Sequence, residues 1–290
     1  MRKKKVLSLF LAIVMVFSVM IVPGTSALGA QQATTTDIGD VTDQTEDGNI
    51  LIFQVGGQEV RVELCTPRTV RVQLSLDGPD GYRPEDPQYY MVQKNEWDPV
   101  EKTVTEEDGV VKIRTSEMEI RVQKSPLRIG MYDLEGNLLS KDADDQGLYW
   151  SDDGTRGVKK VEGTQNAGGI FGFGSGDHGR RSNLNRYDQD FTEFSMSHGR
   201  VIAPFFMSTV GYGIFLNTIE KDTTFFKQGG GFETQGYLDY YFMYGPDFKT
   251  ILNEYAEITG RMELYGKWAH GFMLSKYGND NATQAEFLEW

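Results

Sequence analysis

One cysteine, Cys65, among 290 residues rules out an internal disulfide, and with it the small extracellular scaffolds that are held together by such bonds. Cys65 itself reads as a small buried apolar residue. Histidine is almost as scarce: His178, His198 and His270 lie scattered, without the spacing of metal ligands. No metal or organic cofactor is expected. Basic residues are too few to balance the acidic ones, 29 against 42, for a formal charge of -13. A surface of that sign repels phosphate backbones and excludes nucleic acid as a partner, while neutral sugars are indifferent to it.

The basic residues that do occur include Arg2 and Lys3 to Lys5, followed by an apolar run from Val6 to Val22 and then Pro23-Gly24. That order is the layout of a secretory signal peptide, with cleavage expected near Ala27 or Ala30. A membrane anchor is the competing reading, since the run is only slightly shorter than the roughly 20 residues a spanning helix needs. The helix-breaking Pro23-Gly24 and the lack of basic residues after it favour cleavage and secretion, with no stable anchor remaining. Removing residues 1–30 takes away four positive charges and moves the formal charge from -13 to -17. The Thr/Asp/Gln-rich residues 31–48 read as a flexible lead-in.

From Asn49 the apolar residues take period two, the spacing of a strand with one buried face. Ile50 and Ile52, a turn at Gly56-Gly57, then Val60, Val62 and Leu64 read as a hairpin. Val70, Val72, Leu74 and Leu76 continue the sheet. Residues 77–106, with Pro79, Pro84 and Pro87, read as a long polar connection. Val111 and Ile113 with Met118, Ile120 and Val122 predict another antiparallel pair, followed by Ile129 and Met131, then Leu138-Leu139 beyond a turn at Glu135-Gly136. Such one-sided sheets predict an antiparallel sandwich. Residues 168–190 read as a long ordered loop. Strands resume at 202–208, 212–217 and 238–244, all nearly continuous in aromatics and so expected to be covered on both faces.

Pro246-Asp247 opens the first helix, with Phe248, Ile251, Leu252, Tyr255 and Ile258 on its apolar face and Gly260 as its stop. Residues 268–274 read as a buried strand, and Thr283 as the cap of a last helix carrying Phe287 and Leu288. A strand followed by a helix opens an α/β unit, and one such unit cannot bury its own faces, so further chain is expected downstream. The stretch Gly174-Ser175-Gly176-Asp177-His178-Gly179 matches the dinucleotide fingerprint as text only, since no helical run follows it.

Ala203-Pro204-Phe205-Phe206-Met207-Ser208, Gly211-Tyr212-Gly213-Ile214-Phe215, Leu238-Asp239-Tyr240-Tyr241-Phe242, Tyr244-Gly245-Pro246, Thr259-Gly260-Arg261 and Trp268-Ala269-His270-Gly271-Phe272 together resemble glycoside hydrolase family 31. This family contains α-glucosidases, α-xylosidases and related transglycosylases. The resemblance implies a mainly β fold: a galactose-mutarotase-like antiparallel β-sandwich over residues 49–262, then the first βα unit of a truncated (β/α)8 barrel over 263–290. It implies an exported retaining enzyme acting on α-linked glucosyl oligosaccharides, or a related glucosyltransferase. Its two catalytic aspartates, on later barrel strands, have no counterpart in these residues. Retaining chemistry needs such a pair roughly 5 Å apart, so this chain alone is expected to be inactive and none of its carboxylates is given a catalytic role.

Two features are assigned to sugar by the same resemblance. The family's sandwich carries a loop with an aspartate after a Trp-Asn-Arg-like triplet, and Tyr187-Asp188-Gln189-Asp190 fits that place, with Asp190 the better match and Asp188 its neighbour. A carboxylate there accepts hydrogen bonds from adjacent sugar hydroxyls; the alternative is a pair of solvated loop charges. Tyr277 stands where the family places a pocket-lining aromatic, at the carboxyl end of the first barrel strand; its alternative is simple exposure. A non-catalytic, carbohydrate-binding sandwich remains the second functional class.

Overall fold

The computed structural model describes residues 34–83, 91–163, 169–174, 191–192, 203–218, 220, 223–225 and 229–271. From Thr35 onward they belong to one compact unit, built from three antiparallel sheets and one α-helix.

The largest sheet has eight strands, in the order Ile170–Gly172, Phe205–Ser208, Tyr212–Leu216, Leu238–Tyr244, Thr69–Ser75, Gln58–Thr66, Ile50–Val55 and Asp43–Asp47. A six-stranded sheet runs Lys160–Glu162, Leu138–Asp142, Leu127–Asp133, Met118–Lys124, Val110–Arg114, Thr103–Glu107. The third, also six-stranded, runs Thr35–Asp37, Leu148–Ser151, Thr155–Val158, Phe232–Gln235, Thr224–Phe225, Phe191–Thr192. All three feed one core: Phe53, Val62, Val72 and Phe206 from the first, Ile113, Ile120 and Ile129 from the second, Leu148, Val158 and Phe232 from the third. The alternation in the sequence produces this sandwich directly, because period two sends Val60, Val62 and Leu64 to one face, all fully buried. Val111 faces Val122, and Ile113 faces Ile120, across the second sheet as the sequence predicts.

The first hairpin forms with the opposite phase in its leading strand. Leu51, Phe53 and Val55 are buried and Ile50 and Ile52 only half-buried, because the register sets Leu51 opposite Val62 and Phe53 opposite Val60. The lead-in also differs from expectation. Thr35–Asp37 pairs with Leu148–Ser151 and Asp43–Asp47 with Ile50–Val55, and between them Ile38 is 1% exposed. These strands lack apolar alternation because one sits at each edge with its outward side wet. Their backbone amides still find partners, as in Ile38 N to Leu148 O and Val41 N to Lys124 O, both 2.8 Å. Likewise the polar connection ends in an edge strand, Thr103–Glu107, with only Val104 turned inward.

On the outer face of the eight-stranded sheet the helix Phe248–Thr259 closes a second, smaller core with Phe205, Phe215, Tyr241, Met243 and Cys65. Asp247 caps the helix by accepting from Thr250 N at 2.9 Å, satisfying one of the free amides of its first turn. Gly260 ends it at φ 84°, a backbone conformation natural only to glycine. Ile251 and Ile258 are fully buried, each contributing about 1.5 to 3 kcal/mol. Leu252, expected on that face, is 45% exposed. Glu254 takes the inward position instead, because the Thr66 and Thr69 hydroxyls both donate to its Oε2 at 2.7 Å.

Beyond the helix the predicted strand at 268–274 is not formed in its described part. Lys267–His270 is a turn of 3-10 helix whose bonds close locally, Ala269 N to Gly266 O at 2.9 Å and Gly271 N to Trp268 O at 3.2 Å. Among the described residues no strand runs beside it to pair with, and a lone strand leaves its backbone groups unpaired. The fold class is otherwise as the sequence implies: a mainly β sandwich of antiparallel sheets, followed by a single helix as at the opening of a barrel.

Candidate functional site

Asp188, Asp190 and Tyr277 all lie outside the described residues, as do His178, His198, the remainder of the strand expected at 268–274 and the helix expected from Thr283. What the structure defines is the base from which the segment with Asp188 and Asp190 departs and to which it returns. It departs through Gly172, Phe173 and Gly174, three successive residues with positive φ at 140°, 63° and 77°. Gly172 has no alternative, since a Cβ there would meet Phe205 O at 2.5 Å. Phe173 turns inward, with ring centroids 5.4 Å from Phe206 and 4.8 Å from Phe225. The chain re-enters the third sheet immediately after Asp190, where Phe191 pairs with Phe225 and Thr192 with Thr224. Phe225 therefore belongs to both ends. The buried aromatic cluster of Phe173, Phe206 and Phe225 is the foundation of this segment.

The buried carboxylates in the described part are engaged within the fold. Asp239, 1% exposed, accepts two hydrogen bonds from Arg71, at 2.8 and 2.7 Å, and one from Asn217 Nδ2 at 2.8 Å. Arg71 also lies 3.7 Å from Glu63. Burial outweighs that guanidinium and leaves the Glu63 carboxyl above its ordinary pKa. Asp142 and Lys160 form an ion pair of 2.8 Å with neither side chain exposed, and Ile129 N donates to the other Asp142 oxygen at 2.8 Å. None of these carboxylates has a free face for a substrate. The sequence does not signal them, because a charged residue on a strand reads as part of the wet face.

Glu162 is the least compensated. Ser140 is its cross-strand partner, and the Ser208 hydroxyl donates to its Oε1. Its Oε2 and the Tyr212 and Ser140 hydroxyls are buried and meet no partner at full hydrogen-bond geometry, although the Tyr212 hydroxyl stands close enough to favour the carboxylate alongside Ser208. Burial raises the carboxyl above the ordinary 4.5. A folded-state pKa above the unfolded one makes the folded chain bind more protons, so this contribution to stability is complete below pH 4.5 and is lost as pH rises through the folded value. Glu162→Gln should therefore raise Tm at pH 7 and flatten the dependence of Tm on pH between about 4.5 and 7; an unchanged profile would show that Glu162 is adequately solvated.

Large apolar side chains crowd one exposed stretch after the helix: Met262 is 80%, Leu264 98%, Tyr265 61% and Trp268 86% exposed. A run of this kind marks a surface that another structure covers. Among the described residues no group of three or more His, Cys, Asp or Glu side chains is placed to hold a metal ion, and no helix is long and apolar enough to cross a membrane.

Comparison with known proteins matches residues 59–223, more than half of the chain, to the model of the glycosyl hydrolase 31 N-terminal galactose mutarotase-like domain. An isomaltosyltransferase of Sporosarcina globispora is 29% identical over 202 residues, covering 63% of this chain and 18% of that protein. Alpha-glucosidase 2 of Bacillus thermoamyloliquefaciens is 25% identical over 277 residues, covering 89% and 33%. Among solved structures, a Flavobacterium johnsoniae dextranase complexed with isomaltotriose has a TM-score of 0.69 at 29% identity, over 82% of this chain and 30% of that one. The cycloalternan-forming enzyme of Listeria monocytogenes shares the fold at a TM-score of 0.65 and 22% identity, over 82% and 24%. The chain thus spans a third or less of the length of each of these four proteins.

Proposed function

Since the chain belongs to glycoside hydrolase family 31, as the amino-terminal galactose-mutarotase-like part, we propose that it is the supporting sandwich of an exported enzyme that hydrolyses or transfers α-linked glucosyl residues with retention. The observation that carries this is the agreement of family model and fold: the match over residues 59–223 together with the likeness to the dextranase over 82% of the chain. The exposed stretch Met262, Leu264, Tyr265 and Trp268 supplies a surface on which a catalytic barrel would dock, which accounts for apolar side chains standing in the open. The barrel would contribute the nucleophile and the acid/base. The sandwich contributes position.

Within this reading Asp190 accepts paired hydrogen bonds from neighbouring sugar hydroxyls and Asp188 flanks it, both on a segment whose ends are fixed at Phe173 and Phe191. Tyr277 sets its ring against the C-H face of a pyranose. In the whole enzyme, Asp190→Ala should lower kcat/KM for isomaltotriose or maltotriose by about tenfold to a hundredfold, as expected for lost hydrogen bonds to a charged acceptor, with a smaller loss for Asp188→Ala. Unchanged kcat/KM in both variants would remove the segment from the sugar site. Sugar binding by the whole protein without any bond cleavage would favour a purely binding sandwich instead.

A further inference from the structure

A cavity of about 920 Å³ opens at one end of the sandwich, within the range of about 300 to 1,000 Å³ usual for small-ligand sites. Three pieces of chain wall it: Thr66 and Pro67 at the end of one sheet, Thr115 and Ser116 at the end of another, and the extended segment 98–103 between them. These walls are held together by their own hydrogen bonds. Asn49 donates to Asp98 O and accepts from Val100 N, both at 2.8 Å. The Thr115 hydroxyl donates to Pro67 O at 2.7 Å and accepts from Met118 N at 3.1 Å. The cations Lys102 and Arg114 are already paired, with Glu46 at 3.0 Å and Glu119 at 3.1 Å.

What remains uncommitted is chemically specific. The Asp98, Glu101, Thr103 and Ser116 side chains line the cavity and make no hydrogen bond to other described residues. The Lys94 ammonium, also on the lining, lies 4.6 Å from the centroid of the Trp97 ring. Two free carboxylates against one ammonium, in a chain of net charge -13, disfavour an anionic ligand. The ionised side chains on the lining, Asp98, Glu101 and Lys94, disfavour a lipid, whose tail would strip water from them. Carboxylates that accept, hydroxyls and an ammonium that donate, and the C-H surfaces of Pro67, Pro99 and Val100 suit a neutral polyhydroxylated molecule with apolar ring faces.

We propose that this cavity binds a short neutral oligosaccharide, using sandwich residues alone. The inference rests on the carbohydrate reading above and goes beyond it, because it requires neither a barrel nor the segment bearing Asp188 and Asp190.

The test is a titration of the 290-residue chain with maltotriose and with isomaltotriose, followed by amide NMR. Saturable shifts are expected at Glu101, Lys102 and Ser116. Asp98→Ala combined with Glu101→Ala should raise Kd about tenfold or more at unchanged Tm, since both side chains are exposed. Saturable shifts that the double variant leaves unaltered would place the sugar elsewhere; the cavity assignment would fall and the carbohydrate reading would stand. Absence of saturable shifts with either sugar, or stronger binding of inorganic phosphate, would overturn the proposal, while the whole enzyme's turnover of the same sugars would judge the family function independently.

Discussion

Asp142→Ala should destabilise the fold by about 3 to 5 kcal/mol, the cost of leaving one member of a buried ion pair without its partner. Lys160 Nζ lies 2.8 Å from Asp142, both are fully shielded, and the Tyr240 ring lies 5.1 Å from the ammonium. Burial on its own would depress the Lys160 pKa, but Asp142 outweighs it and holds the ammonium protonated. Removing the carboxylate also strands the amide of Ile129. The pair itself is not thereby a large source of stability, because both charges had to leave water. Asp142→Leu combined with Lys160→Met should accordingly be within about 1 to 2 kcal/mol of the parent chain, or more stable. Urea unfolding of the single and double variants measures both; equal losses in the two would show that the pair contributes net attraction.

Phe206→Ala should cost about 3 to 5 kcal/mol, the range for emptying a large aromatic site in a packed core. Phe206 is fully buried and faces Phe173, Phe225 and Tyr212 at ring distances of 5.4, 5.9 and 6.2 Å. Phe173 opens the segment with Asp188 and Asp190, and Phe225 is the strand partner of Phe191 where the chain returns. The whole enzyme should therefore lose affinity for oligosaccharide as well as stability. Ile120→Ala, in the six-stranded sheet on the other side of the core, is the control: it should destabilise by about 2 to 5 kcal/mol and leave affinity in place. Equal affinity in both variants would dissociate the aromatic base from the sugar site.

The parts of the fold legible in the sequence are those where one physical signal dominates. Val60, Val62 and Leu64, or Val111 and Ile113, alternate because one face is buried, and that alternation is visible without coordinates. The helix Phe248–Thr259 announces itself by its cap and its glycine stop, and both form. Edge strands escape, because Thr35–Asp37 and Thr103–Glu107 are wet on nearly all sides and hold through backbone bonds that leave no mark on composition. Glu254 escapes for another reason. Its burial depends on the Thr66 and Thr69 hydroxyls, which lie more than 180 residues away in sequence. The cavity residues Asp98 and Glu101 give no local signal either, since the sequence shows only a polar connection and the three walls meet through folding.

The most direct measurement is the anomeric form of the first sugar released by the whole enzyme from maltotriose or isomaltotriose, followed by proton NMR before mutarotation blurs it. A sandwich that serves a retaining α-glycoside enzyme requires the α-anomer to appear first. Initial release of the β-anomer, or no attack on either sugar, would contradict the account.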